Sequence, residues 1–347
     1  MIAVAAAGFT PCADPEQGAV LVVPVGCALG PKALEAAWEA GQQAGRDGRI
    51  VLSGAIGEML RMSSLAGEGL VYLHGASPSP LGERIREAKE ICLDPQEKPL
   101  GELVPGGEAL MVSDRLILPV RSWIGLLWAN LLLLPPTLWL ELGGEGLGAA
   151  WAVVRAFFRS GPRRIPQGLS RGGEVHPDAI VEASLLLPGA KVEAGAVVRG
   201  SILGPGARVE PLALVEGSVL GPQAVVQRQA MLKFGVLGSG ASLGGVLQLG
   251  VLGPQAAFKR GSTGMDQRLD GSPVRVEVGG QIVPAPMGMA GICVGEGTTV
   301  GSGVWVAPGR RIPAGVVVLG GNVLARPDSP EGHQGPLVVR DGRLEAP

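Results

Sequence analysis

Between Ser184 and Arg260 the sequence repeats itself. The segments Leu186-Leu-Pro-Gly-Ala-Lys-Val192, Leu203-Gly-Pro-Gly-Ala-Arg-Val209, Leu220-Gly-Pro-Gln-Ala-Val-Val226, Leu237-Gly-Ser-Gly-Ala-Ser-Leu243 and Leu252-Gly-Pro-Gln-Ala-Ala-Phe258 begin 17, 17, 17 and 15 residues apart. Aliphatic residues recur at every sixth place (Leu203, Val209, Val215; then Leu220, Val226, Leu232). A small residue such as Ala207, Ala213 or Ala224 stands two places before the next aliphatic. One inward aliphatic per six residues, with glycine or proline at the bends, describes a parallel β-helix of three short strands and three tight corners per coil. After an interruption at 261–289 the period resumes at Val294, Val300, Val306, Ile312 and Val318. Neither this spacing nor the glycine and proline content suits an α-helix.

The chain has 347 residues, 46% of them apolar, which predicts about two domains with substantial cores. Its 57 glycines and 29 prolines are ordered by the hexad phase, so they mark corners and not a low-complexity tract. A net charge of -2 and the lack of a basic stripe with interleaved aromatics exclude nucleic acid as a partner class. Cys12, Cys27, Cys92 and Cys293 share no metal-ligand or redox spacing, and no basic segment precedes the apolar first residues; both predict a reduced, cytoplasmic compartment.

Residues 1–115 alternate short apolar runs with helix-like stretches, which predicts a parallel α/β layer. Sites in such a layer lie beyond the carboxyl ends of strands, here near 8–12, 26–30, 54–57 and 74–77. None holds a complete phosphate loop, because Gly26-x-x-x-Gly30-x-Lys32 lacks the Gly-Lys-Ser/Thr ending. Residues 116–172 read as a hydrophobic helical connector. Its stretch 116–142, with Trp123, Trp128 and Trp139, approaches the length of a membrane span, but Pro135 and Pro136 predict a helix broken midway. One reading buries it between the α/β layer and the coils. The other is a membrane-surface element, because Arg155, Arg159, Arg163 and Arg164 accompany Trp151, Phe157 and Phe158 with no acidic residue from 146 to 173. Those arginines also suit a plain connector that caps helix ends and contacts neighbouring subunits. The coils then occupy 173–325, and 326–347 read as a C-terminal tail.

Arg121-Ser-Trp-Ile-Gly-Leu-Leu-Trp-Ala-Asn130 resembles the "SPWDLLDAN" segment that closes the nucleotidyltransferase domain of the bifunctional N-acetylglucosamine-1-phosphate uridylyltransferase/acetyltransferase family. That family also places a hexapeptide β-helix directly afterwards. Met231-Leu-Lys-Phe-Gly-Val-Leu-Gly238 is similar to its "VEVKNSVIG" coil. The run from Phe258 to Asp270, followed by Val274-Arg-Val-Glu-Val278, is similar to its "FGAGTLIANLRFDEKEVKV" excursion. The resemblance implies a shortened nucleotidyltransferase-like α/β domain followed by an all-β, left-handed parallel β-helix. It also implies a homotrimer, with which the outward apolar residues Leu185, Ile202, Leu214 and Val219 agree.

Carried over residue by residue, the family's chemistry is largely missing. Ala6-Ala-Gly-Phe-Thr-Pro-Cys12 keeps the start of "AAGxGTRM" without its second glycine or arginine, and Ala76 stands where "NGD" supplies a metal carboxylate. Asp14, Asp47, Asp94 and Asp114 are no obvious replacements, so the charge of phosphoryl transfer lacks its counter-ion. Gly245 stands in place of the histidine that serves acetyl transfer as general base. The chain has only His74, His176 and His333, which also excludes a three-histidine metal site on the coils. Lys233, Lys259, Arg260, Arg268 and Arg275 lie where the family meets CoA or sugar-nucleotide phosphates; solvated turn charges are the plainer reading. Three functions follow. The chain is a catalytically degenerate homologue acting as an oligomeric scaffold or sugar-nucleotide binder; or an active nucleotidyltransferase or acyltransferase with relocated groups, using Mg2+ or acetyl-CoA; or a structural solenoid, peripheral to a membrane through Arg155, Arg159, Arg163 and Arg164.

Overall fold

A computed structural model describes residues 13–14, 19–22, 27–63, 70–74, 81–102, 109–141, 169–170, 172–319, 323–324, 335–340 and 342–346. The chain divides into two compact units, Ile2–Thr137 and Leu138–Pro347.

The second unit is a left-handed parallel β-solenoid of about nine turns over residues 174–338. Its strands, mostly two or three residues long, stack into three sheets of eight, ten and eight strands. The first runs through Leu185–Leu186, Ile202–Leu203 and Val219–Leu220, the second through Lys191–Val192, Arg208–Val209 and Val225–Val226, and the third through Ile180–Glu182, Val197–Arg199 and Leu214–Glu216. Side chains alternate across a strand, so one residue of each pair faces the axis. Leu186, Val192, Val198, Leu203, Val209 and Val215 do so and are 2% exposed or less. The corner alanines Ala190, Ala207, Ala224, Ala241 and Ala256 are fully buried, where a larger side chain would meet the facing strand.

The glycine or glutamine of the repeated Leu-x-Pro-Gly/Gln-Ala motif has a positive φ, 75° at Gly189, 67° at Gly206, 58° at Gln223 and 56° at Gln255. This left-handed step turns the corner, and glycine takes it without a Cβ penalty. At another corner Ser184, Ser201 and Ser218, all fully buried, form a ladder. Each hydroxyl donates to the carbonyl two residues back (2.7–2.8 Å) and accepts the backbone N–H of the next level, Ser201, Ser218 and Gly235 (3.0–3.1 Å).

The chain leaves the column after Thr263–Gly264, slightly later than the hexad break at 261 indicates, and returns at Cys293–Val294. In between lies a hairpin of Arg275–Val278 and Gln281–Pro284. Residues 336–340, within the stretch read as a tail, add a strand to the second sheet and seat Leu337 in the core.

The outward apolar residues behave differently from the trimer expectation. Leu185, Ile202 and Val219, on the first sheet, are only 2–3% exposed within a single chain; Leu214, on the third sheet, is half-buried. Three of the four residues that argued for three-fold packing are therefore already covered.

The first unit comprises β1 (Ala13–Asp14), β2 (Ala19–Val22), β3 (Cys27–Leu29), α1 (Ala33–Ala44), β4 (Gly48–Leu52), α2 (Gly54–Met62) and β5 (Val71–Leu73). After these come α3 (Leu81–Glu87), β6 (Lys89–Leu93), β7 (Lys98–Glu102), β8 (Ala109–Val112), β9 (Ile117–Pro119) and α4 (Trp123–Glu141). The five-stranded sheet has the order β1-β2-β5-β4-β6. The expected all-parallel layer is not formed: only β4 and β6 run parallel, and β5 is antiparallel to both neighbours. Alternation of strand and helix sets the element types but not the strand directions, and β3 leaves the sheet to pair with β9.

The proline pair does not break α4, which runs from Trp123 to Glu141 through Pro135 and Pro136. Ile124, Leu127, Trp128 and Leu131 to Leu134 are at most 3% exposed, and Leu138 beyond the prolines is fully buried. Burial of this many large side chains outweighs the two lost helix hydrogen bonds and the local propensity. Among the described residues no helix is long and apolar enough to cross a membrane.

Candidate functional site: a shortened corner and its cations

Four residues join the second-sheet strand to the third-sheet strand in neighbouring coils, 227–230 after Val225–Val226 and 259–262 after Ala257–Phe258. Between Ser242–Leu243 and Val246–Gln248 there are only Gly244 and Gly245. This missing pair of residues is why one repeat spacing is 15 and not 17. The strands on either side keep their register, Val225 on Ser242 on Ala257 and Met231 on Val246 on Thr263, so the corner is pulled inward without disturbing the ladder. Gly245 is buried, its carbonyl accepts the Met231 N–H at 3.0 Å, and a Cβ there would overlap the Ser262 carbonyl oxygen. A Cβ on Gly244 would lie 2.6 Å from Gln227 Oε1 and 3.0 Å from Arg260 N. Positions 244 and 245 thus have no room for a side chain without a shift of the neighbouring coils.

The register places Gln227 and Arg228 on one side of this dent and Lys259 and Arg260 on the other. Arg228, Lys259 and Arg260 are exposed, and no ion pair holds their side chains among the described residues. The Arg228 backbone N–H donates to Glu210 Oε2 at 2.9 Å, and Gln227 Nε2 donates to Ser242 Oγ at 2.7 Å, which fixes the turn beneath. Arg228 was absent from the sequence-level candidates, although its 17-residue phase relative to the corner residues Ala194 and Pro211 places it there.

The remaining candidates do not join this cluster. Lys233 Nζ is 3.0 Å from Glu216. Arg268 pairs with Asp270 at 2.6 Å in an exposed turn, and Arg275 Nη2 donates to the Ile282 carbonyl across the hairpin at 3.4 Å. His176 accepts the Asp178 N–H on Nδ1 at 3.2 Å, which makes it a turn cap. Among the described residues no group of His, Cys, Asp and Glu could hold a metal ion. Gly8, Ala76, His333 and Arg155, Arg159, Arg163 and Arg164 lie outside the described residues.

In the first unit the described parts of the expected loops are engaged by the chain itself, while 8–12, 26 and 75–77 lie outside the described residues. At the start of α2, which was a candidate phosphate position, Glu97 accepts the N–H groups of Ala55 (3.1 Å) and Ile56 (2.6 Å). An intramolecular carboxylate there takes the place of an anion. Lys32 is 3.2 Å from Asp114, and Gly30 and Lys32 donate backbone bonds to Leu116 and Asp114. Asp47 receives a two-pronged contact from Arg84 (2.8 Å each) and the His74 N–H (2.7 Å). The Arg84 guanidinium holds its carboxyl below the usual carboxylate range. Asp94 accepts the Gln96 N–H at 2.9 Å. Asp47, Asp94 and Asp114 are thus engaged within the chain.

The sequence profile of the GlmU-like C-terminal hexapeptide family matches residues 174–260. No curated protein matches the chain. Among solved structures, the acetyltransferase domain of PglB from Neisseria gonorrhoeae in complex with acetyl coenzyme A is 16% identical, with 85% of this chain and 97% of that one covered and a TM-score of 0.20. PerB from Caulobacter crescentus in complex with CoA and GDP-perosamine is 15% identical over 86% of this chain and 97% of that one, with a TM-score of 0.17. TM-scores this low carry no argument about this chain.

Proposed function

We propose that the solenoid is a binding scaffold that has given up acetyl transfer at the Gly244–Gly245 corner and uses Arg228, Lys259 and Arg260 there to hold a phosphate-bearing ligand of the sugar-nucleotide or CoA class. The observation that carries this reading is the two-residue corner. Its glycines remove the place for a general base and leave a recess flanked above and below by cations. Proton abstraction by a positioned base is worth about 10²–10⁴ in rate, and no other described coil residue offers an imidazole after His176. A guanidinium fork recognises phosphate oxygens in a bidentate manner, so two arginines and a lysine around one recess match a diphosphate better than a carboxylate. The hexapeptide profile over 174–260 spans the recess and its coil below.

Calorimetric titration of the full chain with UDP-N-acetylglucosamine and with CoA tests this reading, together with an assay for CoA release from acetyl-CoA and hexosamine phosphates. Saturable binding without turnover is expected, and Arg228→Glu with Arg260→Glu weakens it by about tenfold or more, since a charge-assisted hydrogen bond contributes about 1.5–3 kcal/mol. Turnover refutes the loss of catalysis. No heat with either ligand at millimolar concentration refutes the binding role.

A further inference from the structure

The corner between the second and third sheets continues past the recess into the next coil. After Thr299–Val300 it is formed by Gly301, Ser302, Gly303 and Val304, and Trp305 opens the third-sheet strand beyond it. The register stacks Trp305 on Thr263 and Thr263 on Val246, and the Gly303 N–H donates to the Arg260 carbonyl at 3.3 Å. The excursion separates these coils in sequence, yet Trp305 stands one level from Lys259 and Arg260 and two from Gly244 and Gly245. Val306 faces the core, so the indole points outward. Of the solenoid's three aromatic residues, Phe258 is fully buried, Phe234 is half-buried and Trp305 is 50% exposed. Gly301, Ser302 and Gly303 leave the corner beside the indole low, and a Cβ on Gly303 would meet nothing.

We infer that the ligand of the shortened corner carries a nucleobase, which stacks on Trp305 while its diphosphate lies along Arg260, Lys259 and Arg228. This rests on the phosphate-binding reading above and adds the chemical class, a nucleoside diphosphate moiety. An exposed indole offers a large, flat apolar face at little conformational cost, and a base covers it without needing particular edge contacts. Every base has such a face, so the platform accepts purine and pyrimidine alike. Spacing selects a nucleotide over a sugar phosphate. Two levels at about 4.8 Å put roughly 10 Å between the indole and the recess. In a nucleotide the ribose and the first phosphate fill that gap; in a sugar 1-phosphate the ring bears the phosphate directly and does not span it. The first phosphate then lies beside Arg260 and Lys259, and the second over the glycines, one level from Arg228.

Titration of the full chain with pyrophosphate, UDP, ADP and N-acetylglucosamine 1-phosphate separates the two readings. UDP and ADP are expected to bind about five- to tenfold more tightly than pyrophosphate, a gain that Trp305→Ala abolishes and Trp305→Phe largely keeps, since stacking on one aromatic ring is of this size. Pyrophosphate and the sugar phosphate are expected to bind Trp305→Ala and the unmodified chain alike. UDP-N-acetylglucosamine and CoA, titrated in parallel, distinguish the source of the moiety: the one that uses the platform weakens in Trp305→Ala by the same factor, and neither doing so overturns the proposal. Nucleotides that bind no tighter than pyrophosphate, or a sugar phosphate that depends on Trp305, overturn it and leave the phosphate site standing. No binding by any of these ligands overturns both. Trp305→Ala is expected to sediment as the unmodified chain does; a changed oligomeric state makes the indole a subunit contact and ends the proposal. If Trp305→Ala does not fold, fluorescence decides: ADP is expected to quench a share of the tryptophan emission that Trp305→Phe lacks, and an equal quench in both proteins is the contrary result.

Discussion

Asp266 shows what the excursion demands of a single residue. It follows the last strand before the chain leaves the column, its own backbone carbonyl accepts the Ala290 N–H at 3.2 Å, and burial raises its carboxyl above the usual carboxylate range. No salt bridge compensates among the described residues. The folded form therefore binds the proton more tightly than the unfolded chain, whose aspartate titrates near about 3.9. Stability is complete while both forms are protonated and declines as pH rises through the raised value. Asp266→Asn, which keeps the shape and removes the charge, is expected to raise the thermal midpoint at pH 7 and to leave it unchanged near pH 3 (a choice about one unit below the reference value). Equal midpoints at pH 7 refute this account. Gly245 carries the opposite lesson, because its position excludes every side chain by backbone contact, and no titration is involved.

At the scale of elements, helices and corners are decided by partners far away in sequence. The start of α2 is closed by Glu97, which lies beyond two further strands and a helix, and no local capping box marks it. Glu97→Ala is expected to destabilise the first unit by about 0.5–2 kcal/mol in urea, the usual range for loss of a cap, while Glu97→Gln recovers part of it. An unchanged urea midpoint would show the cap to be idle. The same dependence explains α4. Pro135 and Pro136 predict a break when only neighbours are considered, and the break is absent because Leu131 to Leu134 and Leu138 are buried on both sides of it. The serine ladder is legible only in retrospect: Ser184, Ser201 and Ser218 recur 17 apart, as the hexads do, yet their role is to accept the N–H of the next coil.

At the scale of the whole molecule, the coils share backbone hydrogen bonds with both neighbours, whereas the hairpin Arg275–Val278 with Gln281–Pro284 pairs only with itself. Hydrogen exchange on the intact chain is therefore expected to be slowest at the inward positions Val198 to Leu252 and faster in the hairpin, which opens without the column. Matching rates in both would contradict this. The β-helix was readable from sequence alone, because a hexad writes side-chain volume and corner chemistry into local spacing. The mixed strand directions of the first unit were not, since alternating element types leave orientation open. Nor were the fates of the cations: Lys233, Arg268 and Arg275 had the same sequence credentials as Lys259 and Arg260, and only folded neighbours, an acid for the first two and the Ile282 carbonyl for Arg275, separate those engaged elsewhere from those left around the shortened corner. Which outward face is closed also depended on the folded chain, because an outward leucine has the same local pattern whether or not something covers it. Periodicity acts through neighbours within six residues, and the tertiary structure alone decides contacts made between segments that the period does not relate.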